Sequence, residues 1–132
     1  MAATSTQTDP VRRVLVVEDD QSICELIDEL LTSLDLKSIC VGSDREAYDI
    51  LPTLPQFEAL LVDVNLGAGT TGFDVARFAR QLIPDLPVIY VSGQASTQSF
   101  KSFGVPDSAF VAKPFTADEL IEAVRSRIPA ND

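Results

Sequence analysis

Four short stretches of this chain carry residue types able to handle a phosphoryl group, and each closes an apolar run. The acidic triplet Glu18-Asp19-Asp20 follows VLVV, Asp63 follows LLV, Ser92 follows VIYV, and Lys113 follows AFVA. Carboxylates gathered in one place raise each other's pKa unless a positive charge sits among them. A divalent cation fills that need. The donors are hard oxygens with no His or Cys among them, which favours Mg²⁺ over zinc. Mg²⁺ keeps several waters and takes one or two carboxylates together with a phosphate oxygen. The chemistry open to such a set is transfer of a phosphoryl group onto a carboxylate nucleophile, with a hydroxyl and an amine to hold its oxygens.

Each stretch alone has an ordinary explanation. The triplet could be a solvated loop that caps a helix beginning near Ser22. Asp63 could be a turn residue, Ser92 could open a Ser-Gly turn, and Lys113-Pro114 could end a strand with its amine in water. Those explanations must all hold independently, whereas one site accounts for the four positions together.

The elements that must position these residues are legible as an alternation. Apolar runs rich in β-branched residues, Val11 to Val17, Lys37 to Val41, Ala59 to Val62, Pro87 to Val91 and Ala109 to Ala112, read as five strands. Between them lie helical stretches. The clearest carries Ile23, Leu26, Ile27, Leu30, Leu31 and Leu34 at helical spacing; the others span Asp44 to Leu51, Phe73 to Leu82, a weaker Thr97 to Phe103, and Thr116 to Arg127. Ser43 and Thr116 stand where N-caps belong, and Glu119 completes a capping box with Thr116. The first, third and fourth strands are almost continuously apolar, as in central parallel strands covered on both faces. Strand and helix in alternation imply right-handed crossovers and a doubly wound α/β sandwich, in which ligands bind beyond the carboxyl ends of the strands. All four stretches fall at that edge.

Composition narrows the function classes. At 132 residues the chain has the size of one domain, and no apolar run approaches the length of a membrane helix. Residues 1–10 are polar, lack the pattern of a secretory signal, and read as a disordered tail ahead of a domain over 11–129; a cytoplasmic location is expected. Cys24 and Cys40 lie in apolar surroundings without CxxC spacing and read as buried reduced thiols. Ten basic against twenty acidic residues give a net charge of −10, which repels nucleic acid. The absence of histidine excludes Ser/His/Asp and Cys/His catalysis.

With VLVVEDD on the first strand, LLVDVNL on the third, VIYVSG on the fourth and AFVAKPF on the fifth, residues 12 to 128 resemble the receiver domains of response regulators in two-component signalling. The resemblance implies a flavodoxin-like five-stranded parallel sheet in the order 2-1-3-4-5 with five helices. It implies Asp63 as phosphoacceptor, Asp19 as direct metal ligand, Glu18 acting through a metal-bound water, and Asn65 lending a backbone carbonyl to Mg²⁺. Ser92 and Lys113 would hold the phosphoryl oxygens, and Phe110 would occupy the switch aromatic position. A histidine kinase or histidine phosphotransfer protein would supply the phosphate. A downstream protein would read the face of the fourth helix, fifth strand and fifth helix. No output domain is read in the chain, so a single-domain regulator or phosphate shuttle is expected.

Three departures from the family pattern stand out. Gly67 replaces a usual proline, the GAGTTG loop is one residue longer before the glycine matched by Gly72, and Phe110 lacks the hydroxyl of a tyrosine. Asn65 and Gln94 are polar at the positions that tune hydrolysis in relatives, so a labile phosphoryl group is expected. Two other readings are weighed against this one. A phosphatase of the haloacid dehalogenase type wants a DxD pair on the first strand and a cap domain, neither of which fits. A pseudo-receiver would bind partners without phosphorylation, yet every site residue is present.

Overall fold

A computed structural model describes residues 11–53, 57–67 and 71–129, in which five strands alternate with five helices. The strands are β1 (Arg13–Val17), β2 (Lys37–Val41), β3 (Ala59–Val62), β4 (Val88–Gly93) and β5 (Ala109–Lys113). The helices are α1 (Gln21–Thr32), α2 (Asp44–Ile50), α3 (Gly72–Leu82), α4 (Thr97–Phe103) and α5 (Ala117–Arg127), with a 3₁₀ turn over Gln94–Ser96 leading into α4. The strands form one parallel sheet in the order β2-β1-β3-β4-β5, as the family resemblance implies. The expected tail over 1–10 lies outside the described residues, as do residues 68–70 of the GAGTTG loop.

Successive residues of a strand point to opposite faces, and the two cores follow that rule. Leu15, Val17, Leu60, Val62, Val88 and Tyr90 face one side, where Ala47 of α2 and Phe73, Val75, Ala76 and Ala79 of α3 cover them. Val14, Val16, Leu61, Ile89, Val91 and Val111 face the other, against Ile27 and Leu31 of α1 and Leu120 and Val124 of α5. Burial on both faces explains why β1, β3 and β4 read as unbroken apolar runs. The edge strand β2 is only partly buried.

Helix starts are fixed locally. Ser43 caps α2 through the Glu46 N–H, and Thr116 and Glu119 form the expected capping box on α5. A second box, Thr71 with Asp74, starts α3. It escapes the sequence pattern because aspartate replaces the usual Glu or Gln at the third position. Asp20 caps α1, its Oδ1 accepting from the Ser22 and Ile23 N–H groups. One member of the acidic triplet thus serves the helix.

The thiol expectation is overturned. Cys24 of α1 and Cys40 of β2 form a disulfide across 16 residues of sequence, and Cys40 is exposed. The crossover lays α1 against β2, so tertiary packing brings together two cysteines whose spacing carries no motif. Among the described residues no helix is long and apolar enough to cross a membrane.

Candidate functional site

The carboxyl ends of β1 and β3 hold the two central acids side by side. The Glu18 N–H donates to the Val41 carbonyl at 2.9 Å and the Asp63 N–H to the Val17 carbonyl at 3.0 Å, extending the sheet ladder one step past each strand. Both side chains are buried, Glu18 at 3% and Asp63 at 7% exposure, as acids rarely are without a partner. The partner is Lys113 at the end of β5. Its Nζ donates to Glu18 Oε1 at 2.6 Å and to Asp63 Oδ2 at 2.8 Å.

The remaining oxygens are also occupied. Asp63 Oδ1 accepts from Ser92 Oγ at 2.7 Å and from the Asn65 N–H at 3.0 Å, while Glu18 Oε2 accepts from the Asp20 N–H at 3.0 Å. Asp19 stays exposed, and oxygens of Glu18, Asp19 and Asp63 all lie within 4.8 Å of one another. The structure therefore brings Glu18, Asp19, Asp63, Ser92 and Lys113 together. Asn65 touches Asp63 through its N–H, and Asp20 turns away to cap α1.

Burial, the largest influence on Glu18, pushes its carboxyl above the ordinary range, with the bond from Lys113 pulling the other way. For Lys113 burial acts to lower the pKa, but the bonds to Asp63 and Glu18 outweigh it and the ammonium is held above its usual value. Burial alone would favour a neutral Glu18, yet its two oxygens meet only donors. The ionised form is the one these contacts hold. Three carboxylates against one ammonium leave two negative charges uncompensated, and every available donor in the acidic group is oxygen. Such a set suits a hard divalent cation.

The loop after β3 departs from the sequence pattern for a visible reason. Gly67 has φ +80°, in the left-handed region, which proline cannot adopt. Gly72, at the start of α3, lies flat against the phosphoacceptor candidate's own backbone. A Cβ there would stand 2.1 Å from the Asp63 carbonyl oxygen and 3.0 Å from the Val64 Cα. The helix start and the Asp63 backbone are in effect one packed unit.

Phe110 of β5 is half-buried and stacks on Phe100 of α4 with ring centroids 5.3 Å apart. Phe100 in turn meets Tyr90 at 5.6 Å, and Tyr90 meets Phe73 at 5.2 Å. Phe110 thus ends an aromatic row running through α4 and β4 to α3. One residue absent from the sequence reading also belongs here. Ser96, buried, places its Oγ 3.3 Å from Ser92 Oγ. The only signal for it was its spacing, one helical turn after Ser92.

The sequence pattern of the response regulator receiver domain matches residues 14–125. The cell cycle response regulator CtrA of Brucella ovis is 30% identical over 115 residues, which cover 86% of this chain and 49% of that protein. The chain spans about half the length of the curated relatives it matches. A response regulator receiver protein from Sinorhizobium medicae superposes with a TM-score of 0.83 at 30% identity, covering 88% of this chain and 93% of that one. The receiver domain of a sensor histidine kinase from Pseudomonas aeruginosa, solved with a magnesium ion coordinated in its active site cleft, shares the fold at a TM-score of 0.76 and 22% identity; 92% of this chain and all of that one align. With the strand order, the acidic edge and these matches in agreement, the chain belongs to the response regulator receiver domain family.

Proposed function

We propose that this receiver accepts a phosphoryl group on Asp63 in a Mg²⁺-dependent transfer and uses the change to alter a protein-binding face. The observation that carries the reading is the convergence of Lys113 and Ser92 on the two oxygens of one buried carboxylate, with Glu18 and Asp19 alongside. An Asp63 oxygen attacks phosphorus, the bond from phosphorus to the donor breaks, and the leaving group keeps the electron pair. Ionised Asp63 needs no general base. The product is a mixed anhydride whose oxygens need charge and hydrogen bonds. Lys113 and Ser92, already placed 2.8 Å and 2.7 Å from Asp63, supply them.

Mg²⁺ would be held by Asp19, Asp63 and the Asn65 carbonyl, with Glu18 acting through a bound water, and would supply neutralising charge as the phosphoryl group arrives. The donor is a phosphohistidine of a kinase or phosphotransfer protein, or a small acyl phosphate. Once Asp63 is phosphorylated, Ser92 turns to a phosphoryl oxygen and Phe110 moves into the space it leaves. The face of α4, β5 and α5 changes for a downstream protein. Polar Asn65 and Gln94 beside the site favour a short-lived phospho-form.

Incubation with Mg²⁺ and acetyl phosphate, followed by intact mass, tests this reading. Wild type gains one phosphoryl group and loses it again on standing, whereas Asp63→Asn gains none and keeps its fold by circular dichroism. Retained labelling of Asp63→Asn refutes the assignment.

A further inference from the structure

Ser92 is fully buried, and its Oγ has two neighbours, Asp63 Oδ1 at 2.7 Å and Ser96 Oγ at 3.3 Å. A hydroxyl owns one hydrogen and two lone pairs, and an ionised carboxylate only accepts. The Ser92 hydrogen is therefore committed to Asp63. The contact with Ser96 must then run the other way, with the Ser96 O–H donating into a lone pair of Ser92. At 3.3 Å it is long for a hydroxyl pair, a contact that guides more than it clamps.

What Ser96 does not do is equally informative. It stands immediately before α4, where serine ordinarily caps a helix by accepting an N–H. Here it makes no cap bond, and its backbone is helical, with φ −87° and ψ −2°. Its side chain is only 7% exposed, turned into the protein toward Ser92. No residue of α4 itself is fully buried, so Ser96 is the buried polar group at its start.

We propose that Ser96 is a positioning residue that aims the Ser92 hydroxyl at the acceptor oxygen and carries the displacement of Ser92 into the start of α4. This rests on the reading of Asp63 as phosphoacceptor. In the unphosphorylated protein, the Ser96 O–H fills one lone pair of Ser92 and fixes the direction of its single hydrogen. When Ser92 swings to a phosphoryl oxygen, Ser96 loses its acceptor. The Ser96 side chain is then free to rotate and offer its oxygen to the N–H groups of the first turn of α4, and that turn rearranges. The link to the surface through Ser96 is separate from the one through Phe110, because it enters α4 at its N-cap and not through the Phe100 ring.

Ser96→Ala and Ser96→Thr, compared with wild type, test the proposal. Ser96→Ala is expected to slow phosphorylation by acetyl phosphate by about two- to tenfold, the range of one neutral hydrogen bond. Its Mg²⁺ affinity and melting temperature should match wild type. Amide shifts over residues 97–103 on adding beryllofluoride should shrink. Ser96→Thr, which keeps the hydroxyl, should recover both rate and shifts. Wild-type rate and shifts in Ser96→Ala overturn the proposal, as does a loss of Mg²⁺ affinity in proportion to rate, which marks a general structural role. If wild type itself takes up no phosphoryl group, the parent reading fails. The Ser92 rotamer measured by NMR then still decides this one: spread over several wells in Ser96→Ala supports it, and a single well overturns it.

Discussion

Helices α4 and α5 both lean on β5, from opposite faces of the sheet, and they are held very differently. Helix α5 has a complete capping box, Arg125 and Arg127 in its last turn where the helix dipole favours cations, and Leu120 and Val124 sunk in the core. Helix α4 is seven residues long, has no side-chain cap and no buried residue, and leaves Phe103 59% exposed. Elements that move are drawn from the less stable parts of a structure. Under the proposed switch, α5 is the fixed reference and α4 the part able to change.

The largest test of that contrast is a pair of truncations. Leu120→Ala in α5 should cost about 2–5 kcal/mol of unfolding free energy in urea, the range for a buried leucine. Phe103→Ala in α4 should cost under about 1 kcal/mol, as expected for a mostly exposed side chain. Equal losses would erase the distinction. A middle-sized effect comes from the cap. Thr116→Ala removes the side-chain acceptor for the Glu119 N–H and should cost about 1 kcal/mol, with faster hydrogen exchange confined to the first turn of α5.

The smallest effect concerns alkaline pH and the tether behind α4. Burial pushes the Tyr90 hydroxyl above its ordinary pKa, and its oxygen accepts the Val105 N–H at 3.1 Å, just past the end of α4. Lys113 is also held high. Both groups keep their protons longer when folded than when unfolded. Their stabilisation is complete below the unfolded values, near pH 10, and fades as pH rises through the folded ones. The melting temperature should fall from about pH 10 upward, and Tyr90→Phe should flatten part of that slope. An unchanged slope would remove Tyr90 from the account.

The contrast also marks where sequence reasoning held and where it stopped. The central strands and α5 were legible because burial and caps leave local traces: unbroken apolar runs in β1, β3 and β4, and Thr116 with Glu119. Strand ends converge by topology, so the sequence alone places Glu18, Asp63, Ser92 and Lys113 at one edge. Contacts that exist only after packing left no such trace. Ser96 meets Ser92 because a 3₁₀ turn brings it round, and Cys24 meets Cys40 because a helix crosses an edge strand. Asp20 was open to two local roles, a further acid of the triplet or a cap for the helix near Ser22, and its bonds to the Ser22 and Ile23 N–H groups decide for the cap. Helix α4 had only weak periodicity, and its lack of buried residues is the reason.

Gly72 draws a different line through the molecule. Because any side chain there would run into the Asp63 carbonyl, the position admits a single letter of the amino-acid alphabet. In a library randomised at this codon, selection for the folded receiver would return glycine alone. Such a selection would thus map, at a residue with no side chain, how closely the receiver's backbone is machined around Asp63.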